Sequence, residues 1–185
     1  MRLNALLAAL LAGTVAGCGG GPETDAVRGS VGEVYEQAQR SIESGNFRRA
    51  IFVLEQIQSR FPFNPLGKQA QLDLIYCFYK SGRDEEAIDA ADQFMRENPT
   101  HPRVDYALYI QGLTYFDDDP GRFSKILGVD RAARPPAENR QALAIFKRLV
   151  ERYPSSDYAE DARKRMVFLK ERLARYENYV ADYYL

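Results

Sequence analysis

The residue best placed for covalent chemistry is Cys18. It stands directly after Val15-Ala16-Gly17, one aliphatic residue and two small ones. Small residues suit the narrow cleft of a signal peptidase, and the thiol behind them is the atom that takes a lipid, which is the lipobox pattern. Upstream, Arg2 supplies a positive start and Ala5–Val15 a short run of Ala and Leu. That run is too short for a bilayer span, which takes about 20 residues. The reading is a lipoprotein signal over 1–17, a lipidated Cys18 opening the mature chain, and a membrane anchor made of several acyl chains. An ordinary secretory signal with an incidental cysteine is the alternative.

Few other residues offer chemistry. His101 is the sole histidine and sits beside Pro102 in a turn. A catalytic base would need a nucleophile or an orienting acid in reach, so the expectation is a turn residue packed between repeats. Cys77 lies inside an apolar helix, where a buried inert thiol is the plainer reading. Asp117-Asp118-Asp119 lacks the following Gly and Glu that a calcium loop requires, and reads as a solvated loop. Two Cys and one His are too few for a zinc site or a disulfide framework. The chain carries no phosphate-cradling Gly loop, no Gly-x-Ser-x-Gly elbow and no metal-ligand spacing. The expectation is a non-enzyme without cofactor or metal. With 25 basic and 26 acidic residues the net charge is −1, which gives no field for nucleic acid.

The elements that position these residues repeat. Gly45, Ala50 and Pro62 recur as Gly82, Ala87 and Pro99, each 37 residues on. A small residue lets paired helices touch, a Gly turns the chain between them, and a Pro ends the second helix. The spacing predicts an all-α, tetratricopeptide-like helix-turn-helix solenoid, about three residues longer per unit than the usual ~34. The surplus is assigned to a longer turn over Phe63–Gly67. Apolar content of 45% supports a packed core.

The units fall at about 31–65, 66–102, 103–154 and a partial 155–185, behind a flexible tether over 18–30. Their helices are expected over 31–61 in two pieces, then at Leu66–Lys80, Asp84–Glu97, Arg103–Phe116, Glu138–Arg152 and Asp157–Leu173, the last opened by Ser155-Ser156 and continuing to Leu185. Ala38, Ile75 and Gly112 fall at one register position, where neighbouring helices approach most closely. An insert of 18 residues breaks the register within Asp117–Pro136, a surface loop on this reading. The last helix carries Tyr176, Tyr179, Val180, Tyr183 and Tyr184 on one face. Natural arrays end in a polar cap, so this face predicts a C-terminally truncated array lacking at least one repeat.

First helices of such units line the concave side. The groove-facing candidates are Tyr35 and Gln39, then Tyr76, Tyr79 and Lys80, then Tyr106, Tyr109 and Leu113. A Tyr ring packs on a peptide while its hydroxyl bonds the backbone, and a rim Lys meets a carboxylate. The competing reading is that these rings only pin adjacent helices.

Long strings then match one family. They are Arg60-Phe61-Pro62-Phe63 with Pro65, Gln71-Leu72-Asp73-Leu74-Ile75-Tyr76 with Tyr79-Lys80, and Asn98-Pro99-Thr100-His101-Pro102 with Asp105-Tyr106. Gly128-Val129-Asp130-Arg131 and Val167-Phe168-Leu169-Lys170 follow in the same order. The chain resembles the BamD family, the tetratricopeptide lipoproteins of the outer-membrane β-barrel assembly machinery. The resemblance implies a lipid-anchored scaffold at the periplasmic face of the outer membrane, in keeping with the absence of an Asp after Cys18. Implied partners are the barrel-forming subunit, its accessory lipoproteins and the C-terminal segments of unfolded outer-membrane proteins. Family members have about five repeats and this chain stops within the fourth. A repeat adaptor for pilus or cell-envelope assembly stays open as the alternative.

Overall fold

The computed structural model describes residues 29–116 and 137–184, and every regular element among them is a helix. The helices are α1 (Val31–Glu43), α2 (Phe47–Arg60), α3 (Pro65–Lys80), α4 (Asp84–Glu97), α5 (Val104–Tyr115), α6 (Ala137–Arg152) and α7 (Ala159–Tyr184). The architecture is the all-α, tetratricopeptide-like array expected. The expectations for the signal segment, Cys18, most of the tether and the 117–136 insert lie outside the described residues.

Local chemistry sets the helix ends. Ser30 and Glu33 form a reciprocal capping box at α1. Asn46 Oδ1 accepts from the Arg49 N–H at 3.1 Å and so caps α2. Arg83 ahead of α4 offers no side-chain cap, but Asp84, Glu85 and Glu86 fill the first turn and complement the helix dipole. Gly45 and Gly82 turn the chain within the first two pairs at φ +73° and +70°, in the left-handed region where a Cβ is penalised.

Two boundaries differ from expectation. Pro65-Leu66-Gly67 is not turn but the first turn of α3: Asn64 Oδ1 accepts from the Leu66 N–H at 2.9 Å, and Pro65 brings a preset φ to the first helical position. Gly67 is required there because a Cβ would lie 2.7 Å from the Phe61 carbonyl oxygen. The last helix opens at Ala159 rather than Asp157. The Ser156 hydroxyl donates to Asp105 Oδ2 at 2.6 Å, tying the turn to α5, and accepts from the Tyr158 N–H at 3.2 Å.

Each helix packs on the next, and α1–α3 and α3–α5 also touch, whereas α2 and α4 make no comparable contact. The array therefore bends with the first helices of successive pairs on the inside. Two apolar clusters hold it together. One gathers Val34, Ala38, Ile51, Leu54, Ile57, Leu74 and Phe78 from α1 to α3. The other gathers Leu72, Ile75, Phe94, Leu108, Phe146, Leu149 and Leu169 from α3 to α7. Helix α3 serves both, so it buries residues around most of its circumference: Leu72, Leu74, Ile75, Cys77 and Phe78. At the far end of α7, Tyr179, Tyr183 and Tyr184 stand exposed. No helix among the described residues is long and apolar enough to cross a membrane.

Candidate peptide-binding groove

The inner surface of α1, α3 and α5 is built around one carboxylate. Asp73 interrupts the apolar run of α3, and three side chains converge on it. Tyr35 donates its hydroxyl to Oδ2 at 2.7 Å, Gln39 Nε2 donates to the same oxygen at 2.7 Å, and Gln69 Nε2 donates to Oδ1 at 3.0 Å. Tyr35 and Gln39 sit one helical turn apart on α1, and Gln69 lies one turn before Asp73 on α3, so all three reach the same point. The arrangement ties the first pair of helices to the second through charge-assisted hydrogen bonds.

A second carboxylate repeats the device further along. Tyr109 on α5 donates to Asp161 Oδ2 on α7 at 2.7 Å, and Arg165 donates to the same oxygen. Burial alone would raise Asp161, but the hydrogen bonds from Arg165 and Tyr109 outweigh it and hold the carboxyl below its ordinary range. Tyr109 stacks on Tyr158 with centroids 4.7 Å apart, and Tyr106 leans on the same ring. The Arg103 guanidinium lies over the Tyr106 ring at 4.9 Å and bonds the Tyr158 hydroxyl.

Between these two ties sit the remaining candidates. Tyr76 is half-buried, with the edge of Phe47 against it at 6.1 Å. Tyr76 and Tyr79 contact both apolar clusters, bridging them. The hydroxyls of Tyr76 and Tyr106 take no hydrogen-bond partner among the described residues. Tyr76 follows Asp73 by three residues on α3, and Tyr106 is close enough to that carboxylate for its charge to matter. Burial first, then the Asp73 carboxylate and the neighbouring Tyr158 and Tyr76 hydroxyls, push Tyr106 well above the ordinary phenol range. Leu113 packs half-buried against the second cluster, and Lys80 is exposed at the end of α3. The structure thus brings Tyr35, Gln39, Tyr76 and Tyr106 around Asp73. It sets Tyr109 with Tyr158 and Asp161, and leaves Lys80 and Leu113 apart from both.

The isolated reactive residues are held in packing. The His101 ring meets Phe94 edge-on at 5.2 Å, and Nδ1 accepts from the Arg103 N–H at 3.2 Å. Burial, with the positive charges of Lys68 and Arg103, lowers its pKa. Burial, aided by the Asp73 charge, pushes the Cys77 thiol up to about 12. Among the described residues no group of His, Cys, Asp and Glu is placed to hold a metal ion.

These shifts predict a pH dependence. Burial first, then the bond to Asp73, raises Tyr35 above the phenol range, and burial with the bond to Asp161 raises Tyr109 to about 12. A raised folded-state pKa favours the protonated form, so its stabilisation is complete below the unfolded value of about 10 and is lost as pH climbs through the folded value. The urea midpoint should therefore hold steady from about pH 7 to 9 and fall sharply by about pH 11. A midpoint that does not move over that window would mean the hydroxyls are not buried in the folded chain.

Comparison with known proteins finds one family. The model of the YfiO family, described as outer membrane lipoprotein, matches residues 28–185. Among curated proteins, one from Vibrio cholerae is 42% identical over 153 residues, covering 83% of this chain and 64% of the relative. One from Neisseria meningitidis serogroup B is 42% identical over 156 residues, covering 84% of this chain and 58% of the relative. One from Haemophilus influenzae is 33% identical over 183 residues, covering 99% of this chain and 70% of the relative. All three are named outer membrane protein assembly factor BamD. The chain spans 64% and 58% of the length of the first two.

Proposed function

The chain belongs to the YfiO family of outer membrane lipoproteins, and on that premise we propose that it is a non-enzymatic scaffold for assembling outer-membrane proteins. In this reading lipidated Cys18 holds it at the periplasmic face of the outer membrane. Its inner surface receives extended C-terminal segments of unfolded outer-membrane proteins, and the array joins a barrel-forming subunit and accessory lipoproteins. The names of the relatives favour this over an adaptor for pilus or envelope assembly.

One observation carries the groove: the Tyr76 and Tyr106 hydroxyls have no partner among the described residues, although they flank a carboxylate that gathers three other donors. An extended peptide bonds such hydroxyls through its carbonyls while its side chains lie on the ring faces. The test is anisotropy of a labelled peptide ending in an aromatic residue, titrated with the wild-type chain and with Tyr76→Phe/Tyr106→Phe. The double variant keeps the rings and removes only two donors, so folding is spared. Two hydrogen bonds at about 0.5–1.5 kcal/mol each predict a Kd raised about 5- to 150-fold. Equal binding by the folded double variant, or no binding by the wild type, would reduce these tyrosines to helix pins.

A further inference from the structure

Between α4 and α5 lies a polar site that the inner groove does not use. Gln111 on α5 is 3% exposed, and its Nε2 donates to Asp92 Oδ1 on α4 at 2.8 Å. Its Oε1 is buried without a hydrogen-bond partner among the described residues. An amide carries its oxygen and nitrogen on one carbon, so the orphan oxygen lies beside the Asp92 carboxylate. Buried acceptors are nearly always paired, which makes this one an unmet demand for a donor.

Two more polar groups gather there. Asp89 precedes Asp92 by three residues on the same side of α4, and Tyr115 follows Gln111 by one turn on α5. Burial first, then the charges of Asp92 and Asp89, raise the Tyr115 phenol, so both carboxylates face it. Among the described residues the Tyr115 hydroxyl takes no hydrogen bond and Asp89 no ion pair. Tyr115 is half a turn out of phase with Tyr106, which puts the site on the side of α5 away from the groove. The same row of α4 begins with Glu85 and ends with the exposed Arg96, which pairs with neither aspartate. Three acids against one base leave the row negative.

We propose that this outer site docks an arginine of a partner protein, its guanidinium on the Asp89 and Asp92 carboxylates and the Tyr115 hydroxyl, with the Gln111 oxygen as the acceptor beneath. The sign of the site selects the occupant, since its acids repel lipid and nucleic-acid phosphates and attract a basic segment. The spread of acceptors selects arginine over lysine. Acceptors contributed by two helices match a planar fork of five N–H groups better than an ammonium, whose three donors sit on one atom. Bonds from a guanidinium to carboxylates are charge-assisted, so one side chain can hold the contact. The proposal is independent of the inner groove.

The test uses the full chain in detergent and a fluorescein-labelled peptide of alternating Arg and Ser. Low-salt binding should saturate, weaken as salt rises to about 0.3 M, and fall by about tenfold or more in Asp89→Asn/Asp92→Asn. Asparagine keeps an acceptor for the Gln111 amide, so folding is spared, and thermal unfolding checks it. The same peptide with citrulline, the neutral isostere of arginine, should lose binding to a similar extent, and a lysine peptide should bind about threefold weaker. Gln111→Met keeps the bulk and removes the buried acceptor, so it should bind about threefold weaker while unfolding at the same or a higher temperature. The charge-matched control Glu138→Gln/Glu171→Gln should bind the arginine peptide as the wild type does. Equal weakening by that control overturns the proposal. So does unchanged binding by the folded aspartate variant or by Gln111→Met, or equal binding of the citrulline peptide.

Discussion

Gly112→Ala should destabilise the chain by about 1–2 kcal/mol, although alanine is the better residue for a helix interior by about 1 kcal/mol. The sign is decided by one contact. A Cβ on Gly112 would lie 2.6, 2.9 and 3.0 Å from Phe146 Cε1, Cδ1 and Cζ. Phe146 cannot yield, because it is fully buried and its ring is also met by Tyr109 at 6.3 Å and Phe116 at 6.1 Å. Overpacking at such a site costs about 1–3 kcal/mol, which outweighs the gain in helix propensity. Truncating the ring itself, Phe146→Ala, should cost about 3–5 kcal/mol. The decisive measurement is a double-mutant cycle by urea unfolding. In a Phe146→Leu background Gly112→Ala should turn neutral or stabilising, since the clash is gone and the propensity gain remains. A stabilising Gly112→Ala in the wild-type background would mean α5 and α6 do not pack this closely.

The close approach at Gly112 is legible in the amino-acid sequence because it is regular. Gly112 follows Ile75 and Ala38 at intervals of 37 residues, and close packing of paired helices recurs with the repeat. The bounds of α4 also agree residue for residue, because Asp84, Glu85 and Glu86 load its first turn and Asn98-Pro99 closes it. Where two local signals compete, the pattern misleads. Pro65 and Gly67 both look like turn residues, yet Asn64 makes Pro65 a helix opener, and Gly67 serves close backbone approach rather than chain reversal. The carboxylates at the centre of the groove are harder to see. Asp73 is legible only as one letter in a string, since its role depends on Tyr35 and Gln39, which lie 38 and 34 residues away and reach it only once α1 sits on α3. A charged residue inside the run Leu72-Asp73-Leu74-Ile75, with Gln69 one turn earlier, is the available signal. Asp161 with Arg165 gives less, as the pair looks like any helix-surface ion pair until Tyr109 arrives from α5.

Asp73→Ala should cost about 1–3 kcal/mol of stability, more than Tyr35→Phe at about 0.5–1.5 kcal/mol. Alanine strips the acceptor from three donors at once, whereas phenylalanine removes one donor and leaves Gln39 and Gln69 on the carboxylate. The glutamines can turn to water, but the half-buried Tyr35 hydroxyl cannot do so as freely, so most of the loss should couple to Tyr35. Combining the two substitutions tests this: the double variant should be little worse than Asp73→Ala alone. Asp73→Asn separates charge from shape. It keeps an acceptor for one donor but removes the negative charge that helps hold the Tyr35 and Tyr106 phenols and the Cys77 thiol protonated. In that variant tyrosinate absorbance should appear at lower pH than in the wild type, while burial still keeps both phenols above the ordinary value. Relative to its own stability at pH 7, the variant should lose less on going to high pH than the wild type, since the gap between folded and unfolded phenol pKa values is smaller. If Asp73→Asn titrated like the wild type, Asp73 would lie outside the electrostatic reach of the tyrosines, and the groove would lose its polar centre.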